Sequence, residues 1–331
     1  MKFQKILVTG AGGLIGSHIC RMLQRSDCSI RALLWDTESD ENIRELDNIE
    51  VIRGDIRDPS LTKSSLSGCD ACIHTAALNK LWHKPSKEFY ETNVLGTKNI
   101  CEAAFSNKIK KLVYTSSCEV MGPSPNERQR DENTRLIEES VRGHYERSKF
   151  KAEEIIRGFI KSGLPAVILR PTAVIGSHDI NLTPPGRLIR SFLSGEVVVY
   201  YDSGVNVVDA SDVAKAHISA LNGSKTGSTY IVGGHNIMFE DLFKIMSSLS
   251  GIKSPHTKLK FSTALISVGL LGIRAFITRK DPGVTISGIK TIRHPWFFDS
   301  SKAQRELGLT PKPLKDILKC AIDWHKTRIN S

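Results

Sequence analysis

The sequence lacks a hydrophobic run long enough to cross a membrane. Its longest apolar stretch, residues 261–276, is interrupted by Arg274, whereas a membrane-spanning helix needs about 20 apolar residues. No leader peptide is expected, because the first predicted strand begins at Lys5. Zinc-finger spacing, an aromatic-rich RNA-binding signature and long Lys/Arg blocks are also missing. We therefore expect no nucleic-acid partner, although the formal net charge is +11.

A disulfide framework is missing as well. The seven cysteines are odd in number and irregularly spaced, which favours reduced thiols in a cytoplasmic protein. Cys69 and Cys72 form a CxxC motif, but no second pair follows at zinc-ligand spacing. Because this pair begins an apolar strand pattern, we expect buried thiols and no metal site.

Apolar residues are present in sufficient number for a large core. Of the 331 residues, 40% are hydrophobic and 24% are charged, which excludes disorder as the main state. Apolar runs alternate with amphipathic segments as far as Arg170, and this predicts an α/β fold with a doubly wound parallel sheet. Strands are predicted at 5–9, 29–35, 50–53, 71–75, 111–115 and 165–170, and helices at 15–25, 88–106 and 143–162.

The pattern changes after Arg170. Pro and Gly cluster at 171–186, and shorter helices are predicted near 187–194, 210–221 and 239–249, with an amphipathic helix over 313–326. We expect one domain at 1–178 and a smaller C-terminal lobe at 179–331, with part of 205–233 returning to the first domain. The smaller lobe would cover the carboxyl ends of the strands and bind substrate.

A glycine-rich turn follows the first predicted strand. In TGAGGLIG, Gly10, Gly13 and Gly16 allow a sharp turn, a close approach of diphosphate and tight helix packing, and Leu14 and Ile15 are further candidate cofactor-binding residues. The helix N-terminus adds free N–H groups that favour phosphate. Although the strict GxGxxG spacing fails at Ile15, the position between strand and helix predicts a dinucleotide site. We call residues 10–16 the glycine cradle.

Later strand ends are expected to complete this cofactor site. Asp55 and Ile56 follow the third strand and are expected to flank an adenine. Ala76 and Ala77 follow the fourth strand, where small side chains would let a nicotinamide ribose pass close to the backbone.

A second pattern carries acid/base chemistry. Tyr145 and Lys149 are four residues apart in a predicted helix, so both lie on one face. Ser117 follows the fifth strand, at the sheet edge where catalytic groups of open α/β sheets gather. A lysine ammonium near a phenol is expected to lower the pKa of the phenol. The phenolate could then accept a proton from an alcohol while hydride leaves, with Ser117 holding the substrate oxygen.

These motifs resemble the extended short-chain dehydrogenase/reductases. The similarity rests on TGAGGLIG, HTAAL at 74–78, Asn93 in ETNVLGTKN, TSS at 115–117 and YERSK at 145–149, and it covers nearly the whole chain. Longer segments such as GHYERSKFKAEE and RPTAVIGSHDINLTPPGRLI look most like the hopanoid-associated sugar epimerase group. That group is similar to the dihydroflavonol reductases and 3β-hydroxysteroid dehydrogenases.

The resemblance implies a Rossmann domain with a substrate lobe, and a homodimer formed through the helices at 88–106 and 143–162. It implies catalysis by Ser117, Tyr145 and Lys149, with Asn93 supporting Lys149 through water. For NAD(P) it adds Thr75, Pro171 and Val174, together with Trp35, Asp36, Tyr145 and Lys149. For a small-molecule substrate it adds Leu78, Lys80, Glu119 and Arg187.

Three departures from the family pattern bear on function. Trp35 stands where NADP-preferring relatives carry Arg, and Asp36 can accept from a free ribose hydroxyl, so the sequence favours NAD unless Arg31 or Arg44 compensates. Cys118 replaces the acidic Asp of sugar-nucleotide dehydratases, which disfavours water elimination. Pro171 and Thr172 replace the diphosphate-binding Asn of UDP-sugar epimerases.

Three functions remain open from the sequence. The first is interconversion of a secondary alcohol and a ketone, the second is sugar-nucleotide epimerisation with tightly bound NAD, and the third is non-catalytic redox sensing. The apolar segment at 258–280 is either a lid or core helix, or a wall for a lipophilic substrate that also contacts an anionic membrane surface.

Overall fold

The computed structural model describes residues 3–80, 86–124, 128–134, 143–259 and 293–329. Most of the apolar segment at 258–280 lies outside these ranges, so its expected lid or membrane role is not addressed by the structure. In the described part of the chain, no helix combines the length and apolar character needed to span a membrane.

The main sheet is parallel and, in the described residues, has seven strands in the order β10-β6-β5-β4-β1-β2-β3. The strands are β1 (Lys5–Thr9), β2 (Ser29–Leu34), β3 (Ile49–Arg53), β4 (Ala71–His74), β5 (Lys111–Thr115), β6 (Ala166–Pro171), β7 (Ala173–Ile175), β8 (Val199–Tyr201), β9 (Gly204–Asp209), β10 (Thr229–Val232), β11 (His235–Met238) and β12 (Thr257–Leu259). The predicted doubly wound parallel sheet is confirmed, and β10 adds a strand that the sequence pattern did not predict.

Helices cover both faces of this sheet. The helices of the described residues are α1 (Leu14–Leu23), α2 (Pro59–Leu66), α3 (Lys87–Tyr90), α4 (Gly96–Ser106), α5 (His144–Lys161), α6 (Pro184–Leu193), α7 (Ala210–Gly223), α8 (Phe239–Ser250), α9 (Ser301–Leu307) and α10 (Leu314–Ile329). On one face α1 and α7 pack together, and on the other α4 packs between α2 and α5. Because both faces are covered, β4, β5 and β6 are buried along their whole length, as their unbroken apolar runs predict.

The helix predicted over 88–106 is not continuous. A π-helical turn at Glu91–Leu95 separates α3 from α4. Thr97 Oγ1 donates to the carbonyl oxygen of Asn93, 2.6 Å away, and side-chain bonds of this kind bend helices. Single π-turns are frequent at functional sites, and this one contains Asn93.

The C-terminal part forms a separate core. Strands β7, β9 and β11 make a small sheet, and α6, α8 and α10 bury Ile189, Phe192, Phe243 and Ile322 together. Its strands have only three to six residues, too few to show a clear sequence period. Meanwhile β10 returns to the main sheet beside β6. The exact division at residue 178 stays a prediction.

Candidate active site

The glycine cradle joins β1 to α1, and its glycines serve different purposes. Gly10 has a φ of +65°, and a Cβ there would lie 2.8 Å from the backbone of Ala76. A Cβ on Gly16 would overlap the carbonyl oxygen of Gly10. Gly13 has a φ of −73°, which any residue adopts, and the nearest atom to an added Cβ is 3.4 Å away. Gly10 and Gly16 are thus required by the fold, whereas Gly13 is not.

The bare backbone at Gly13 therefore faces space that the fold itself does not fill. Gly13 is the N-cap residue of α1, and no side chain caps this helix. The first N–H groups of a helix have no intrahelical acceptor. Such a cradle, with a helix N-terminus behind it, fits the diphosphate of a dinucleotide.

A carboxyl group that the sequence analysis missed lies on this cradle. Glu38 Oε1 is 2.9 Å from the position of a Cβ on Gly12, and Glu38 Oε2 accepts from the Trp35 N–H at 3.2 Å. Burial raises the pKa of Glu38, although the Trp35 N–H and the Arg53 guanidinium oppose the shift. Glu38 belongs to no motif, and only the fold of the loop after β2 brings it back to the glycines.

Two neighbouring arginines, Arg57 and Arg31, are already paired. Arg57 lies over the exposed Trp35 ring, 5.0 Å from its centroid, and donates to Asp55 at 2.6 Å. Arg31 binds Glu50 and the carbonyl oxygens of Ser65 and Ser67 at the end of α2.

Other predicted cofactor residues lie as follows. Ile56 is buried against Gly96, and Asp36 is exposed just past β2. Thr75 Oγ1 donates to the carbonyl oxygen of Thr9 at 2.7 Å. Pro171 ends β6, and Val174 is buried in β7.

Ser117, Tyr145 and Lys149 come together at the carboxyl edge of the sheet. Ser117 lies two residues past β5, close enough for its hydroxyl to lower the pKa of the Tyr145 phenol. The same Ser117 Oγ accepts from the Glu119 N–H at 3.1 Å. Lys149, one turn further along α5, is buried and donates from Nζ to the carbonyl oxygen of Thr115 at 2.6 Å. The arrangement predicted from the spacing is thus present, although its catalytic role remains to be tested.

The electrostatics differ from the expectation of a depressed phenol pKa. Burial raises the pKa of Tyr145, the Glu119 carboxyl raises it further, and the nearby Ser117 hydroxyl only partly offsets this. Burial also lowers the pKa of Lys149 to about 7, against the opposing effect of Glu153. Lys149 Nζ is directed at a backbone carbonyl and lies 4.6 Å from the centroid of the Tyr114 ring. The protein alone therefore stabilises the protonated phenol.

Two carboxyl groups accompany Tyr145. Burial, reinforced by the charge of Glu146, raises the pKa of Glu119 to about 8. Burial likewise raises the pKa of Glu146, which folds back over Gly143 at the start of α5. Glu119 was a predicted substrate residue. Glu146 was missed, since a Glu in the second position of YxxxK gives no chemical signal by itself.

The Asn93 side chain forms hydrogen bonds with two separate segments. Its Oδ1 accepts from the Leu78 N–H at 2.7 Å, and its Nδ2 donates to the Leu78 carbonyl at 3.1 Å and to Ser148 Oγ at 2.8 Å. The side chain thus joins the loop after β4 to α5. Support of Lys149 through water stays a prediction. Lys80 and Arg187 are exposed, and their substrate role also stays a prediction.

A buried ion pair that the sequence analysis did not predict lies behind the site. Glu153 and Arg170 are each about 1% exposed, and the Arg170 guanidinium donates to both carboxylate oxygens. Ser116 Oγ donates to Glu153 at 2.7 Å, which ties the residue beside Ser117 to α5. Cys118 is buried, and its thiol donates to the carbonyl oxygen of Arg170.

The chain belongs to the NAD dependent epimerase/dehydratase family, whose model matches residues 6–233. The resemblance to the extended short-chain dehydrogenase/reductases is confirmed, as is the prediction of an NAD(P)-dependent enzyme with a Rossmann fold. Placement in the hopanoid-associated group stays a prediction.

Individual relatives and solved structures are similar to the chain over nearly its whole length. The chain is 32% identical over 321 residues to a putative dihydroflavonol 4-reductase of Synechocystis sp., covering 96% of this chain and 93% of the relative. It is 26% identical to sterol demethylase protein B of Methylococcus capsulatus, covering 97% and 98%. The chain is also similar to the crystal structure of gox2253, with 36% sequence identity, a TM-score of 0.88 and 98% of both chains covered.

Proposed function

We propose that this protein is an NAD-dependent oxidoreductase that interconverts a secondary alcohol and a ketone. The observation that carries the proposal is the approach of the Ser117 hydroxyl to the Tyr145 phenol, one helical turn from the buried Lys149. A phenol that transfers a proton to or from the substrate oxygen is a general acid or base. The Ser117 hydroxyl is placed to orient that same oxygen.

The protonated form of Tyr145 is the one that ketone reduction requires. A reduced dinucleotide bound at the glycine cradle would supply the hydride to the ketone carbon. Tyr145 then donates its proton to the oxygen that gains charge, and its raised pKa means that this proton is present at neutral pH. Ser117 can donate to the same oxygen, so two hydroxyl groups stabilise the developing charge. Lys149 contributes positive charge beside the phenol when it is protonated.

Dehydration is less well supported. Water elimination needs an acid at position 118, but burial raises the pKa of the Cys118 thiol well above its usual range, and the thiol is bonded to a backbone carbonyl. Epimerisation remains the alternative. It requires the same hydride and proton transfers, together with a dinucleotide that stays bound through the cycle, so copurifying NAD would favour it.

A lipophilic substrate is favoured over a sugar nucleotide. Thr172, where UDP-sugar epimerases carry a diphosphate-binding Asn, is bonded through Oγ1 to Asn206 at 2.8 Å. The names of the two curated relatives refer to a dihydroflavonol and a sterol, which are apolar ring compounds. We therefore propose a ketone on such a ring system as the substrate class.

The preference for NAD over NADP rests on charge at the adenosine end. The Glu38 carboxyl lies against the glycine cradle, where it can accept from ribose hydroxyls and would repel a 2′-phosphate. Arg53 is bonded to the carbonyl oxygen of Glu38 and to Asp40, and Arg57 to Asp55. A 2′-phosphate would have to compete with these acids for a guanidinium.

The face formed by α3, α4 and α5 supports the expected homodimer. Tyr90, Leu95 and Phe105 are 40–48% exposed there, although large apolar side chains are usually buried. Phe105 lies beside Phe159 of α5, with ring centroids 6.5 Å apart. We propose that a second copy covers this face, which light scattering of the purified chain can check. The cytoplasmic location stays a prediction.

The proposed reaction is tested by a substrate screen with matched variants. Ketones, sterols and UDP-sugars are offered with NADH and NADPH, and hydride transfer is followed by nicotinamide absorbance. Tyr145→Phe should lower kcat by roughly 10²–10⁴ without changing the Kd for NAD. Tyr230→Phe removes a buried phenol hydroxyl bonded to Glu306, away from the site, and should not affect turnover. Near wild-type turnover by Tyr145→Phe would exclude this phenol as the acid.

A further inference from the structure

A buried chain of hydrogen bonds runs beneath the cofactor and catalytic residues. The Ala76 N–H donates to Thr9 Oγ1 at 3.2 Å, and Thr9 Oγ1 lies 2.7 Å from His74 Nδ1. His74 Nε2 lies 3.1 Å from Thr97 Oγ1, which donates to the carbonyl oxygen of Asn93 at 2.6 Å. Thr9 and His74 are fully buried, and Thr97 is nearly so. We call Thr9, His74 and Thr97 the buried relay.

The donor and acceptor in each hydrogen bond of the buried relay follow from the backbone groups at its two ends, the Asn93 carbonyl oxygen and the Ala76 N–H. A carbonyl oxygen only accepts, so the Thr97 hydroxyl must donate its proton to Asn93. Thr97 Oγ1 must then accept from His74, which places the ring proton on Nε2. His74 Nδ1 is therefore an acceptor and receives the Thr9 hydroxyl proton. Thr9 Oγ1 accepts in turn from the Ala76 N–H, so no donor in the buried relay lacks a partner.

The two ends of the buried relay reach the proposed active site. At one end, Ala76 packs against Gly10 of the glycine cradle. At the other end, the Asn93 side chain binds Leu78 and Ser148, and Ser148 Oγ donates to the carbonyl oxygen of Tyr145 at 2.6 Å. Burial, aided by the charge of Lys149, lowers the pKa of His74 to about 3, so the ring is neutral at working pH.

We infer that His74 is a positioning residue whose neutral Nε2–H tautomer joins the glycine cradle to the helix that carries Tyr145. The inference rests on the proposed function, because that function assigns the cofactor role to the glycine cradle and the catalytic role to Tyr145. The hydrogen bonds of the buried relay do not depend on it. It predicts that loss of the buried relay weakens dinucleotide binding without touching a residue that contacts the dinucleotide. A cation at His74 would place a second proton opposite the Thr9 hydroxyl and disrupt the order of donors.

The tautomer is tested by nitrogen NMR on the full chain with ¹⁵N-labelled histidine, assigned with His74→Gln and His217→Gln. His217 is a matched control, because it is also fully buried and bonded to a threonine, Thr115, at 2.8 Å. Its Nδ1 lies 2.8 Å from the carbonyl oxygen of Val213, which requires the opposite Nδ1–H tautomer. We expect Nε2–H for His74 and Nδ1–H for His217. An Nδ1–H or charged His74 would overturn the inference.

The positioning role is tested with two substitutions at Thr97. Thr97→Val keeps the shape but removes the hydroxyl, whereas Thr97→Ser retains it. Thr97→Val should raise the Kd for NAD on the order of tenfold, the scale of one buried hydrogen bond, and should let the Nδ1–H form of His74 appear. Thr97→Ser should restore both the affinity and the Nε2–H signal.

The outcomes separate this inference from the proposed reaction. A folded Thr97→Val chain with wild-type NAD affinity and an unchanged His74 signal would refute the positioning role. If Thr97→Val fails to fold, Thr9→Val and Thr9→Ser give the same comparison at the other end of the buried relay. Failure of the proposed reaction would appear only in the turnover of Tyr145→Phe, which none of these measurements uses.

Discussion

The glycine cradle allows binding and folding to be separated within a single motif. Gly13→Ala adds a Cβ whose nearest neighbour is 3.4 Å away, at a φ of −73°. The free energy of unfolding should therefore change by no more than about 1 kcal/mol, the scale of Gly→Ala effects on the unfolded chain. Gly16→Ala adds a Cβ that overlaps the carbonyl oxygen of Gly10. Overpacking of this kind costs about 1–3 kcal/mol or more.

Dinucleotide affinity should behave differently. Gly13→Ala should weaken binding although it costs little stability, whereas the main effect of Gly16→Ala should be on stability. The Gly13 methyl group occupies the surface where a diphosphate would meet the N–H groups of α1. Each charge-assisted hydrogen bond lost there is worth about 1.5–3 kcal/mol, which is a ten- to hundredfold change in Kd. Gly13→Val extends the obstruction and should abolish measurable binding with the same fold.

Urea unfolding followed by circular dichroism gives the stability, and calorimetric titration with NAD gives the Kd. Wild-type NAD affinity in Gly13→Ala would refute the assignment of residues 10–16 as the diphosphate site. Wild-type stability in Gly16→Ala would refute the packing argument. Loss of stability in Gly13→Ala equal to that in Gly16→Ala would mean that Gly13 is a folding residue.

Three further changes test the surroundings of the site. Trp35→Arg together with Glu38→Gln should shift the ratio of the Kd values for NADP and NAD toward NADP more than Trp35→Arg alone, and a wild-type protein that already prefers NADP would contradict the charge argument. The pKa of Glu119 in the folded state is raised from 4.5 to about 8, so the folded state binds a proton that the unfolded state has lost, and the free energy of unfolding should fall as pH rises through that window. Glu119→Gln should flatten this slope in urea unfolding at several pH values, and an unchanged slope would exclude Glu119 as its source. Glu153→Ala leaves the buried Arg170 without its partner and should lower the free energy of unfolding by about 3–5 kcal/mol. Arg157→Ala removes a half-exposed partner of Glu153 and should lower it by less than about 1 kcal/mol. Equal losses would show that the buried pair with Arg170 is not the main contribution of Glu153 to stability.

The sequence alone predicted the parts of this protein that depend on local order. Buried parallel strands appear as unbroken apolar runs, and helices show their own period, so the alternation along residues 5–170 was enough for the fold class. The glycine cradle and the Tyr145–Lys149 pair are likewise local, since each lies within one turn or one helix. Ser117 followed from the rule that parallel strands end at one edge.

The tertiary structure decided everything that joins distant segments. His74 and Thr97 are 23 residues apart, Thr9 and His74 are 65 apart, and their hydrogen bonds exist only because β1 and β4 pair in register and the π-turn aims Thr97 inward. The position of Glu38 on the glycines and the seventh strand β10 have the same origin. The pKa of Tyr145 was wrongly predicted to fall, because burial and the neighbouring Glu119 depend on the packed site rather than on helical spacing. Periodicity reports which face of an element is apolar, but only packing determines which polar groups meet behind it.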